Sequence, residues 1–258
     1  IISLICIHTC SQIVIKRLCI RGILVKENVM NTHKTLIVGL DDFSSNLMKN
    51  HKEDFNCPFL TENNSSISFV IKDNLSTTNI KNNDILITFC DEDSQNIESA
   101  IEFAKQINSN KPDESFSICF LQNNISQSAL ESLTTFFDTV ITTENDTNKP
   151  FELIFGKLLS VIGFVALDNE DVINFLKNNK ILHYSCSNYD GIELFKGYPE
   201  HIINNNNLFL TATFGIDITP EQYDYVTSCI GAPNNYWAQF YFDGSYSPNS
   251  FVVEFLSN

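Results

Sequence analysis

Basic side chains are scarce in this sequence. Sixteen lysines and arginines stand against 31 aspartates and glutamates, a formal net charge of −15 over 258 residues. That deficit removes the electrostatic means of holding a polyanion, so it argues against nucleic acid and anionic membrane surfaces as partners. Metal-binding clusters are missing as well. Eight cysteines stand singly at positions 6, 10, 19, 57, 90, 119, 186 and 229, without a CxxC pair or a Cys/His group at ligand spacing. Cys90 and Cys119 sit inside apolar runs, where cysteine packs as a small hydrophobe. Reduced thiols and a cytoplasmic location are the matching expectation. None of the five histidines has a Cys or Ser neighbour that would make a nucleophilic pair, and no GxSxG, HExxH, Walker A or GxGxxG string occurs. No uninterrupted apolar run reaches the ~20 residues of a membrane helix.

What is present reads as a globular chain. Hydrophobic residues make up 43%, with 21 phenylalanines, enough to fill a sizeable core. Asparagine is frequent, including Asn204 to Asn207, which reads as the bias of an AT-rich genome. Residues 1–29 are apolar from Ile1 to Ile15 and basic afterwards, at Lys16, Arg17 and Arg21. A signal peptide has the opposite order. Met30 therefore reads as the native start and 1–32 as an extension; an amphipathic membrane anchor is the competing reading.

From Thr35 onward, short apolar runs alternate with amphipathic segments. Strands are expected at 35–40, 67–71, 84–90, 116–121 and 139–142, with helices at 42–50, 94–108 and 126–137. This alternation predicts an α/β fold with a Rossmann-like, mostly parallel sheet covered on both faces. Phe151 to Val165 is apolar nearly all round and predicts a long central core helix buried between two layers. A helix over 171–178, strands at 181–186, 207–213, 236–242 and 250–256, and a helix over 220–229 then predict a smaller C-terminal α/β domain. The expected boundaries are 33–150 for a nucleotide-binding-type domain, 151–180 for the core helix and its loop, and 181–258 for the last domain.

The turn after strand 84–90 is the informative feature. Strand-to-helix turns at the carboxyl end of a parallel sheet are where such proteins bind ligands, and glycine there lets backbone N–H groups close on a phosphate. Here the turn reads Asp91-Glu92-Asp93-Ser94-Gln95, with three acids and no glycine. The acids are either a solvated helix start or hard oxygen ligands for a divalent cation.

The order of elements over about 33–258 resembles the tubulin/FtsZ family. Asp84 to Phe89 looks like the strand leading into that family's glycine-rich phosphate loop, and Asp138 to Asp146 like its strand and loop ending in Asn-Asp, here Asn145-Asp146. Phe151–Val165 looks like its core helix, and Leu208 to Thr219 like its strand and turn before a helix. The resemblance implies a cytoskeletal or cell-division role. It also implies a nucleotide cleft built from Gly39, Asn46, Asp91, Asp93, Ser94 and Asn145. Two phosphate-contacting turns depart from the pattern: Gly39 to Asn46 keeps only its end residues, and Asp91–Gln95 replaces the GGGTGTG signature. A carboxylate ~4–5 Å from a polyphosphate costs about 1–4 kcal/mol, so several together abolish ordinary GTP affinity unless a metal bridges them. In FtsZ-like filaments an Asn-x-Asp-x-x-Asp loop enters the next subunit's site. Here Asp168 and Asp171 keep its acids, and they serve equally well as a helix cap and acidic first turn.

These features predict a non-catalytic FtsZ-like protein without a cofactor, acting on itself or on an FtsZ-like filament subunit. The alternatives are a divergent polymerising GTPase using GTP and Mg, with Asp168 and Asp171 catalytic, and a receiver-like α/β binding module with Asp91 and Asp93 at a strand end.

Overall fold

The computed structural model describes residues 34–39, 67–71, 80–81, 84–90, 94–113, 115–122, 125–144, 147–159, 169–196, 207–215, 217–230, 236–247 and 250–258. The expected helix at 42–50 lies outside them. So do Asn46, Asp91, Asp93, Asn145 and Asp168.

Nine strands form one sheet in the order β2-β1-β3-β4-β5-β6-β9-β7-β8. They are β1 (Thr35–Gly39), β2 (Ile67–Ile71), β3 (Ile85–Cys90), β4 (Phe116–Gln122), β5 (Thr139–Thr143), β6 (Ile181–Tyr189), β7 (Leu208–Phe214), β8 (Tyr236–Phe242) and β9 (Phe251–Ser257). The pairings from β2 to β6 are parallel, as is β7 with β8; only β9 runs against its neighbours β6 and β7. Hydrogen bonding continues across the boundary expected at 181, where Val140 to Thr143 pair with Ile181 to Tyr184. A receiver-like module would make one sheet, but it would have neither the four strands beyond β5 nor a buried helix near 151.

Among the described residues five helices of eight residues or more pack on the sheet: α1 (Ser94–Asn110), α2 (Gln127–Thr134), α3, α4 (Asn169–Asn178) and α5 (Pro220–Ile230). The α3 segment is an α-helical turn, Asn148–Phe151, that widens into a π-helix over Glu152–Leu158. Its buried Phe151, Leu153, Ile154, Phe155 and Leu158 meet the expectation of an apolar core helix up to Leu159, and residues 160–168 lie outside the description.

Strand side chains alternate between faces. Ile85, Ile87 and Phe89 of β3 pack with α3 and α4, whereas Leu86 and Cys90 pack with α1 and α2. Under α3, Phe89 stacks on Phe120 at 5.2 Å between ring centroids, and Phe151 stands 5.8 and 6.0 Å from the two. The second half of the sheet turns an apolar face, including Leu210, Phe214, Phe240 and Val253, toward Val226 of α5.

Local chemistry sets several boundaries. Ser126 caps α2 by accepting from the Ala129 N–H. The helix ends at Thr134, three residues short of the expected 137, because Thr134 and Thr135 bond back to the Glu131 carbonyl and Phe137 turns inward to be buried. At α5, the Thr219 hydroxyl accepts from Gln222 N while Gln222 Oε1 accepts from Thr219 N, with Pro220 at the first helical position. Gly215 follows β7 where a Cβ would lie 2.7 Å from the Ser247 carbonyl oxygen, so only glycine fits without a shift. β6 runs three residues past its expected end because Ser187 to Tyr189 find partners on β9.

At the amino ends of β4 and β5, Asp138 accepts from Ser117 N (2.8 Å), Ser117 Oγ (2.7 Å) and Lys111 Nζ (2.9 Å). Burial raises its pKa, but these hydrogen bonds and the Lys111 charge outweigh it and hold the carboxyl below the usual carboxylate range.

Two outcomes follow. Phe120→Ala, which empties a site at 0% exposure, lowers the urea-unfolding free energy by about 3–5 kcal/mol. Asp138 adds stability above its unfolded pKa of about 3.9 and loses it as pH falls through the lower folded value. Unfolding curves of Asp138→Asn and the parent should therefore differ at pH 7 and converge in strong acid.

Candidate functional site

In a parallel sheet every strand delivers its carboxyl end to the same edge. Gly39, Cys90, Gln122 and Thr143 close β1, β3, β4 and β5 on one crest. The strand order reverses at β1, with β2 on one side and β3 on the other, and such a switch point opens a crevice. The chain leaves β1 at Gly39, which pairs with Phe89 in register, and re-enters the description after β3 at Ser94, the first residue of α1. Gly39 and Ser94, two of the residues named from the sequence, therefore stand at the same end of the sheet.

Asp171 lies on a separate element. It stands with Glu170 in the first turn of α4, and α4 is tied by its last residues to the amino end of β5. Thr139 Oγ1 donates to the Leu176 carbonyl at 2.7 Å, and Val140 N to the Lys180 carbonyl. Lys177 also lies over Phe116, the first residue of β4. Gly39 and Ser94 are thus brought together at one end of the sheet, and the helix bearing Asp171 is anchored at the other.

Among the described residues closing the crest, Gly39, Ser94, Gln122, Thr143 and Glu144 supply no cation, and the sequence places Asp91, Glu92 and Asp93 directly before α1. Thr147, at the start of α3, and Thr88 of β3 are fully buried with hydroxyls that find no partner. They are the kind of group a water completes, and they offer no positive charge. Among the described residues no group of three or more His, Cys, Asp or Glu could hold a metal ion.

A second constellation escaped the sequence. Cys186, Glu254, Thr211 and Gln239 stand in one register row across β6, β9, β7 and β8. Glu254 accepts from Lys157 of α3, from Tyr184 OH at 3.0 Å and from Thr211 Oγ1 at 3.3 Å; Lys157 also reaches Thr213. Burial and the Glu254 charge push the Tyr184 and Tyr241 phenols far above their usual range and raise the Cys186 thiol. Both amide atoms of Gln239 and the Tyr241 hydroxyl are buried without a partner, each worth about 1–3 kcal/mol if left dry. The available signal was a single acid inside Phe251-Val252-Val253-Glu254-Phe255 and a single lysine inside Ile154-Phe155-Gly156-Lys157-Leu158. Charges in otherwise buried runs are paired.

Against solved structures the chain matches a point mutant of FtsZ from M. jannaschii with TM-score 0.58 and 13% identity, covering 88% of this chain and 91% of that one. The empty FtsZ dimer from M. jannaschii gives the same TM-score and identity, over 88% and 89%. CetZ2 from Haloferax volcanii, solved as a GTPγS-bound protofilament, matches at 0.53 with 9% identity over 87% and 92%. The fold is that of FtsZ and CetZ. At the level of sequence nothing matches, neither a family model nor a curated protein. At 88% coverage the match extends over both halves of the sheet. No helix among the described residues is long and apolar enough to cross a membrane.

Glu254→Ala strands Lys157, Tyr184 and Thr211 together. It should cost about 3 kcal/mol in urea unfolding, the low end for a broken buried pair because the Lys157 side chain is 31% exposed. Glu254→Gln keeps an acceptor for the two hydroxyls and should cost roughly half as much.

Proposed function

We propose that this chain is a tubulin-type cytoskeletal protein that acts by associating with itself, or with an FtsZ-like filament subunit, and does no GTP chemistry. The observation that carries the reading is an FtsZ-like scaffold whose two strand-end turns, Gly39 to Asn46 and Asp91 to Gln95, hold acids where a phosphate would need glycine N–H groups. Asp91, Glu92 and Asp93 directly precede α1 in sequence, and their charge opposes an anion at that helix's N-terminus. Among the described residues closing the crest, Ser94, Gln122 and Thr143 are polar and uncharged and Glu144 is acidic.

Self-association rests on separate grounds. Two of the similar structures are a dimer and a protofilament. Gly39 and Ser94 lie at the carboxyl end of the sheet, while α4, which carries Asp171, is anchored at the amino end. By the resemblance of Asp168 and Asp171 to the acidic loop of FtsZ-like filaments, an end-to-end stack would bring these two acids of one subunit to the crest of the next. Asp168 and Asp171 then act as contact residues, with no catalytic part. Purely acidic surfaces would repel in that stack, so the contact must include Lys or a bridging cation, and assembly should respond to magnesium.

Calorimetry of the purified chain with GTP and magnesium should give no binding heat, and sedimentation should give nucleotide-independent, concentration-dependent assembly. Asp171→Asn should raise the concentration needed for assembly roughly tenfold, equivalent to about 1.4 kcal/mol per contact. Micromolar GTP affinity, or turnover rising with protein concentration, would overturn the reading in favour of a divergent GTPase.

A further inference from the structure

The two ends of the sheet differ in charge. At the carboxyl end, β5, β6 and β8 each run directly into an exposed acid, Glu144, Asp190 and Asp243 in turn. Exposed Asp217 follows shortly after β7, and the sequence adds Asp91 directly after β3. Lys149, which follows β5, is paired with Glu152.

The amino end is built differently. Lys34 directly precedes β1, and Lys180 directly precedes β6. Lys177 reaches the same end, 5.9 Å from the ring centroid of Phe116 at the start of β4. The Lys180 ammonium lies 3.5 Å from the carbonyl of Phe137, just before β5. Two acids here are already engaged: Asp138 holds Lys111, and Asp84 accepts from the Lys34 backbone N–H at 2.9 Å. Asp113 is exposed on the link before β4. Where β7 begins and β9 ends stands a neutral pair, Asn207 and Asn258, bonded to each other. Lys34, Lys177 and Lys180 are exposed, and none forms an ion pair among the described residues.

We infer that this lysine-bearing end receives the acidic crest of a second copy of the chain, and that the attraction between them drives the end-to-end stack. This rests on the self-association proposed above and decides what neutralises its acids, which is lysine from the chain itself and no bridging cation. β6 shows the match most directly, because Lys180 stands at its start and Asp190 at its end. A strand of that length spans about 30 Å, so a copy translated along it sets Asp190 of one subunit over Lys180 of the next. Glu144, ending the neighbouring β5, falls in the same way over the group of Lys111, Lys177 and Lys180. Single exposed ion pairs contribute little, but several cations facing several anions make a field that orients approach and weakens with ionic strength. The contact is heterologous, so it continues from copy to copy.

The experiment is sedimentation of the full chain in magnesium-free buffer with a chelator, at increasing potassium chloride. Between about 0.1 and 1 M the screening length falls from about 10 to 3 Å, and the concentration needed for assembly should rise roughly tenfold. Lys177→Glu with Lys180→Glu makes a copy acidic at both ends, and Glu144→Lys with Asp190→Lys makes one with a reversed crest. Each should fail to assemble alone at low salt, and the two mixed in equal amounts should assemble together. Circular dichroism like the parent's establishes that both fold, and the salt series on the parent keeps the test valid if one does not. A parent that assembles regardless of salt or only with magnesium would overturn the inference and leave self-association standing. So would a Lys177/Lys180 variant that assembles like the parent, or folded variants that stay apart when mixed. A parent that is monomeric at low salt would overturn the self-association reading and this inference with it.

Discussion

β9 enters the sheet between β6 and β7 although it follows both in sequence, and the second half of the molecule depends on that insertion. Without Phe251–Ser257, β7 and β8 have no ladder to β6 and therefore none to the first five strands. The strand brings Phe251, Val253 and Phe255 to the α5 face and Glu254 to the α3 face. A single seven-residue segment therefore supplies backbone continuity, an apolar core and the acid that holds Lys157. Such a contact spans 97 residues between Lys157 and Glu254, so its loop-closure entropy is met late in folding. The parallel half, built from βαβ units, has shorter-range pairings and can form around its own phenylalanine stack.

Much of the scaffold was legible because its signals are local and periodic. Buried parallel strands such as Ile85–Cys90 are continuous apolar runs, and α1 repeats its buried Ile97, Ala100, Phe103, Ala104 and Ile107 at helical spacing. The errors were of extent: α2 stops where threonine hydroxyls compete for the backbone, α4 starts two residues before the expected 171, and β6 continues because a partner arrives from far along the chain. The widening of α3 into a π-helix carried no composition signal. The uninterrupted sheet across 181 was equally invisible, since strand neighbours are set by tertiary pairing and no local residue records them.

The site was legible in one part only. Gly39 and Ser94 could be assigned to one end of the sheet because parallel-strand geometry dictates it, and the acids of 91–93 can be read directly for charge. The Glu254 row could not be assembled beforehand, because its members come from four strands and their alignment is a matter of register. Lone charges in apolar runs marked two of its residues; nothing marked Gln239 or Thr211, which look like ordinary strand residues until their neighbours are known.

The phenylalanine stack beneath the crest has one more implication. Phe89, Phe120 and Phe151 pack ring against ring beneath the carboxyl ends of β3 and β4, a contact made of dispersion and burial. The ends of these strands are therefore set by an apolar layer that lies beneath the turns, so the scaffold and whatever the crest binds answer to different residues.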